Sequence, residues 1–149
     1  MSGFLLDTNI FNHLVEGKIQ KTDLPLEFPI FVTTVQYDEI AKCSDIQKRT
    51  DLYSWIQILS DHTAPLETLV WDVGHLDNAK FGEGELYQKL LLSLEAKKKR
   101  KNNANIHDAL IGEVAIIGRM ILVTNDNDLA LIVKENGGLV RTVPCKGED

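Results

Sequence analysis

The chain has 149 residues, 44% of them hydrophobic and 26% charged, a balance that supports one globular domain over 1–149 and excludes a disordered or fibrous chain. Lys and Arg number 16 and Asp and Glu 22, for a net charge of −6, which argues against nucleic-acid binding through general charge attraction alone. Cys43 and Cys145 match neither a zinc nor a redox spacing, and no secretory signal or membrane-spanning run is evident, so the expected setting is cytoplasmic and reducing.

Strand-like and helix-like patterns alternate along the chain. Residues 3–6 form a short apolar strand, and Thr8 can cap a helix reaching Glu16, with Gly17 ending it. A polar stretch holding Pro25 and Pro29 leads to a strand over 30–33 and a helix over 34–42. Ser44 can cap a further helix to Leu59, with Ile46, Leu52, Trp55, Ile56 and Leu59 as its apolar stripe. The β-branched and aromatic segment 67–73 reads as the third strand. A long amphipathic helix follows over 83–100, with Leu86, Leu90 and Leu94 at four-residue spacing. The remainder reads as a helix over 106–118, a strand over 120–124, a helix over 126–135 stopped by Asn136-Gly137-Gly138, and a last strand over 139–143. Alternation of this kind predicts an α/β domain in three layers, with a mainly parallel five-stranded sheet between helices.

Acidic residues recur just past the apolar runs. Asp7 follows Phe4-Leu5-Leu6, Asp126 lies three residues past Ile121-Leu122-Val123, Glu39 follows the second strand, and Asp108 opens the most apolar helix. In open α/β sheets ligands bind beyond the carboxyl ends of the strands, so these carboxylates can share one crevice. Each also has a plain structural reading, as a helix cap or a solvated helix position. At about 5 Å apart, two carboxylates repel by roughly 3 kcal/mol at an effective dielectric of about 20, and a divalent cation reverses that sign. Oxygen-only ligation suits Mg²⁺ or Mn²⁺, whereas zinc would ask for His or Cys. Cations so held support hydrolysis of phosphodiesters. Gly112 and Ala115, on the helix face of Asp108, are small and would leave open space beside it.

Taken in order, Leu5-Leu6-Asp7-Thr8-Asn9, Asp38-Glu39-Ile40, Ile106-His107-Asp108-Ala109-Leu110-Ile111 and Leu122-Val123-Thr124-Asn125-Asp126 resemble the motifs of PIN-domain ribonucleases, over nearly the whole chain. The resemblance implies a Rossmann-like sheet of order 3-2-1-4-5, dependence on Mg²⁺ or Mn²⁺, and hydrolysis of RNA. It implies that Asp7, Glu39, Asp108 and Asp126 are catalytic metal ligands, with Asn9 and Thr124 holding Asp7 and Asp126 by hydrogen bonds. Many single-domain members are VapC toxins, so the resemblance also implies a cognate antitoxin and a homodimer. Asp128 is the alternative fourth acid, although its place suits a helix N-terminal charge. Gly82-Glu83-Gly84-Glu85 is similar to a stretch in some PIN branches where an acid lines the site, which makes Glu85 a supporting candidate; favourable acids at a helix N-terminus explain it equally.

Beside these, His107 can touch substrate or face solvent, and the run Lys97 to Lys101 can grip RNA phosphates or simply complement a helix end. His13, His62 and His75 lie in no motif, and no aromatic is assigned to RNA. A phosphohydrolase of the haloacid-dehalogenase type would need a second Asp two residues after the first, where Asn9 stands. A non-catalytic PIN-like module that binds RNA or protein remains as the alternative function, alongside an RNA-processing nuclease outside any toxin pair.

Overall fold

The computed structural model describes residues 3–68, 84–99 and 102–145. Five strands, β1 (Phe4–Leu6), β2 (Ile30–Val32), β3 (His62–Thr63), β4 (Ile121–Val123) and β5 (Leu139–Arg141), form one sheet in the order β3-β2-β1-β4-β5. Every pairing is parallel, with Phe4 opposite both Ile30 and Ile121, and Ile121 opposite Leu139. Among the described residues six α-helices connect them: α1 (Thr8–Val15), α2 (Thr34–Ala41), α3 (Ile46–Leu59), α4 (Glu85–Lys98), α5 (Asn103–Ile117) and α6 (Asn127–Glu135).

Burial on both faces explains why the central strands are continuous apolar runs. Side chains alternate along β1, so Phe4 and Leu6 enter one core with Ile10, Phe11, Leu52 and Ile56 of α1 and α3. Leu5 points to the other face, against Leu90, Leu94, Leu110 and Leu129 of α4, α5 and α6. Ile121 and Val123 of β4 repeat the first pattern and Leu122 the second. The sheet order expected from the motifs, 3-2-1-4-5, is the one observed.

Several boundaries differ from the sequence reading. The third strand of the described sheet is not a segment starting at Glu67, since residues 67 and 68 form a bend. The edge position beside β2 is taken by His62–Thr63, tied to β2 by Asp61 N–H donating to Ile30 O at 2.8 Å and Ala64 N–H to Val32 O at 2.7 Å. Residues 69–73 of the expected strand lie outside the described residues, as do Trp71 and His75. The cap of α1 is Asp7 rather than Thr8, and α3 is capped by Asp45 rather than Ser44. Ile46, expected in the apolar stripe of α3, is 70% exposed because it sits in the first turn, before the helix reaches the core. Gly112 opens no space beside Asp108. A Cβ there would lie 3.2 Å from Val133 and 3.5 Å from Leu90, so the glycine lets α5 approach α4 and α6 closely.

Candidate functional site

Strand β1 sits at the centre of the sheet, and the chain proceeds to β2 on one side while β4 pairs on the other. The crevice beyond the carboxyl ends of β1 and β4 is the topological switch point, where open α/β sheets bind ligands. Asp7 leaves β1 directly into it, and its backbone N–H donates to Val123 O of β4 at 3.0 Å, which fixes the two strand ends together. Asp126 leaves β4 two residues after Thr124. Asp108 arrives from the opposite direction, in the second turn of α5. Glu39 comes from α2, the helix that follows β2.

Hydrogen bonds orient these carboxylates. Thr124, fully buried, donates its hydroxyl to Asp7 Oδ2 at 2.8 Å and accepts from Asp126 N–H at 3.1 Å. Asn9 Nδ2 also donates to that hydroxyl at 3.3 Å, so Asn9 steadies the Thr124 group that holds Asp7. Asp7 Oδ1 accepts from Thr8 N–H at 2.8 Å, and the Thr8 hydroxyl donates to Glu39 Oε1 at 2.8 Å. Asp126 Oδ1 caps α6 by accepting from Asp128 N–H at 3.0 Å and Leu129 N–H at 3.2 Å. The capping reading of Asp7 and Asp126 is therefore correct, and it leaves one oxygen of Asp126 turned away from its helix.

Replacing Thr124 by valine keeps the shape and deletes the shared hydroxyl. The expected result is a loss of about 2–3 kcal/mol of stability in urea denaturation, because a charged acceptor and two donors lose a buried partner. An unchanged urea midpoint would show that solvent replaces the hydroxyl and that Thr124 does not hold the strand ends together.

Burial and mutual repulsion perturb the acids strongly. Asp7 is pushed up to about 7, chiefly by burial, against the opposing Thr124 bond and with further upward pressure from Glu39 and Asp126. Asp108 is pushed up to about 8 by burial, then by Asp7 and Asp126, with Lys98 opposing and Glu39 adding. These cross-effects bring Asp7, Glu39, Asp108 and Asp126 into one electrostatic field. Among the described residues, no three His, Cys, Asp or Glu side chains form a ready metal cage. The cation at the carboxylates is the Lys98 ammonium, 2.8 Å from Asp126 Oδ2 and 4.0 Å from Asp108 Oδ2.

Asp128 lies in the first turn of α6, half-buried, with its N–H on Asp126 and its charge felt by Lys98. Glu85 is the exposed first residue of α4. Lys98 lies 13 positions further along α4, about 20 Å on a helix, so Glu85 stands at the far end from the carboxylates, where it adds N-terminal helix charge. His107 does not face solvent: it is 5% exposed, with Nδ1 3.8 Å from Glu39 Oε2 and a buried Nε2 that has no hydrogen-bond partner. His13 meets Asn125 Nδ2 at 3.0 Å and Cys145 Sγ at 3.4 Å, which anchors the segment after β5 to α1.

Two positioning residues escaped the sequence reading. Gln36 forms a capping box with Thr33 and donates Nε2 to Leu6 O at 2.7 Å, joining the end of β1 to the helix that carries Glu39. The Thr-x-x-Gln spacing before an apolar helix was its available signal. In the sequence Lys98 stands only as part of a basic run. Its signal was the leucine stripe, since Leu86, Leu90 and Leu94 continue by four to position 98.

Neither a family model nor a curated protein matches the sequence. Solved structures do match. VapBC2 from Rickettsia felis, bound to a DNA fragment from its promoter, superposes with a TM-score of 0.56 at 17% identity, over 95% of this chain and 98% of that one. A domain of a functionally unknown protein from Methanocaldococcus jannaschii gives 0.54 at 14% identity, over 100% and 96%. The fold is PIN-like. VapBC-5 from Mycobacterium tuberculosis, a member of the VapBC family of toxin-antitoxin systems, also matches, at 18% identity with a TM-score of 0.45 over 97% and 99%. Within the PIN-like frame the four acids of the motifs stand at the carboxyl edge of the sheet. No helix among the described residues is long and apolar enough to cross a membrane.

Proposed function

We propose that this chain is a divalent-metal-dependent endoribonuclease, with Asp7, Glu39, Asp108 and Asp126 as the acidic set, acting as the toxin of a toxin–antitoxin pair. The observation that carries the reading is the burial of those carboxylates together at the switch point of a PIN-like sheet, which with their mutual repulsion lifts Asp7 to about 7 and Asp108 to about 8. Carboxylates so destabilised as anions call for a cation, and the all-oxygen donor set fits Mg²⁺ or Mn²⁺. Bound there, either ion would acidify an attacking water and neutralise charge developing on the scissile phosphate.

The chain's own groups supply orientation. Thr124 and Thr8 hold Asp7 by one oxygen each, Thr8 also fixes Glu39, and α6 fixes Asp126 by its capped oxygen. An N–H or hydroxyl donated to a carboxylate oxygen fixes the orientation of the group in advance, which is preorganisation without movement at the moment of reaction. The pairing with an antitoxin is supported by the motif resemblance and by the likeness in fold to VapBC2.

The test is incubation of purified protein with a mixed RNA substrate in Mg²⁺, Mn²⁺ or EDTA. Cleavage in either metal and none in EDTA is the expected result. Cleavage that survives EDTA would refute the metal dependence, and none in any metal while the protein is folded would refute the nuclease and favour a non-catalytic binding module. Co-purification of a small partner encoded beside this chain, and its suppression of cleavage, separates the toxin from an RNA-processing nuclease.

A further inference from the structure

Helix α4 buries Tyr87, Leu90 and Leu94 on the face that packs against α5 and α6. Four residues beyond Leu94 the same face reaches the edge of the sheet, so the chain must present position 98 to the carboxylate crevice. That residue is a lysine. Lys97 and Lys99 on either side are exposed, whereas the Lys98 side chain is 14% exposed and directed inward. Its Nζ donates to Asp126 Oδ2 at 2.8 Å, the oxygen not engaged in capping α6, and lies 4.0 Å from Asp108 Oδ2.

A half-buried ammonium loses hydration, which alone would weaken its hold on the proton. The carboxylate of Asp126 at hydrogen-bond distance and that of Asp108 at 4.0 Å offset that loss. The C-terminal turn of α4 adds its own negative end to the crevice, which the same ammonium offsets. One cation therefore neutralises part of a site that otherwise gathers like charge.

We infer that Lys98 is the resident counter-ion of the carboxylate cluster, competing with a divalent cation for Asp126 and Asp108 and withdrawing when that cation binds, so that it sets the affinity at which the site loads. The inference rests on the metal-site reading of the proposed function. An ammonium and a divalent cation cannot both sit against the same carboxylate oxygens without repulsion, so loading one displaces the other. The flexible lysine stem permits that withdrawal by side-chain rotation alone.

The experiment titrates metal-free protein with Mn²⁺, following free ion by electron paramagnetic resonance, for the wild type, Lys98→Met and Lys98→Arg. Lys98→Met is expected to bind Mn²⁺ about tenfold more tightly, equivalent to about 1.4 kcal/mol, and to melt lower than the wild type in EDTA. Lys98→Arg keeps the charge and should behave like the wild type. On the unmodified protein, mass spectrometry after brief treatment with an amine-acetylating reagent should find Lys98 protected in EDTA and labelled in Mg²⁺; this arm stands even if a variant fails to fold. Equal or weaker Mn²⁺ binding by folded Lys98→Met, or Lys98 labelling unaffected by Mg²⁺ in protein that binds Mn²⁺, would overturn the counter-ion role while leaving the metal site intact. Absence of Mn²⁺ binding in wild type and Lys98→Met alike would overturn both.

Discussion

Asp108→Asn is expected to lower metal-dependent RNA cleavage by about 10²- to 10³-fold, the scale of removing one preorganised charge-stabilising group, while stabilising the metal-free protein at pH 8. The two effects have one origin. Asp108 is held at about 8 by burial and by the charges of Asp7, Asp126 and Glu39. Ionising it in the folded state without a cation works against those charges, and asparagine cannot ionise. The gain should shrink to a fraction at pH 5, only about one unit above the ordinary value of 3.8 at which the unfolded carboxyl titrates. Thermal melts in EDTA at both pH values, beside a cleavage assay, check the pair. Cleavage retained by the folded variant would remove Asp108 from the acidic set. Equal melting temperatures for variant and wild type at pH 8 would mean that its repulsion is relieved by other means, with Lys98 the first group to examine.

The metal-free wild type should lose stability as pH rises from about 5 to 8. Asp7 and Asp108 titrate near 7 and 8 in the folded chain, against an ordinary value of 3.8. Between those limits the folded chain binds more protons than the unfolded chain, so stability falls as pH rises. Each unit of upward shift is worth about 1.4 kcal/mol. With a cost of a few kcal/mol over the window, a chain of this length should drop by about 5–10 °C in melting temperature. Saturating Mn²⁺ should reverse the slope, because a bound cation favours the deprotonated carboxylates and its binding strengthens with pH. A flat or rising melting temperature in EDTA would mean that the acids are hydrated in solution and not repelling as the geometry requires.

How much of this was legible beforehand differs by element. Strands β1, β2 and β4 announce themselves because both of their faces are buried, which demands unbroken apolar runs such as Phe4-Leu5-Leu6 and Ile121-Leu122-Val123. Edge strand β3 carries no such demand. His62 and Thr63 are exposed, and they extend because Asp61 and Ala64 can donate to β2 carbonyls, a circumstance invisible in local composition. The segment 67–73, richer in β-formers, drew the expectation away from them.

The acids followed the same division. Asp7, Glu39, Asp108 and Asp126 could be named because each follows or opens an apolar element at a fixed offset, and parallel βα topology brings such offsets to one edge. Their number and type also pointed to a hard divalent cation. Chain order therefore determined the fold class, the resemblance of the motifs implied the strand order that is observed, and the offsets singled out the four acids proposed as metal ligands. Tertiary structure decided what those carboxylates meet: the Thr124 hydroxyl shared between two strand ends, the Gln36 bridge from α2 to β1, and the Lys98 ammonium delivered from a helix that ends beside them. Those contacts join residues 28, 30 and 117 positions apart. Local pattern reports periodicity and capping, whereas which distant side chain reaches a given oxygen depends on how helices pack across the sheet.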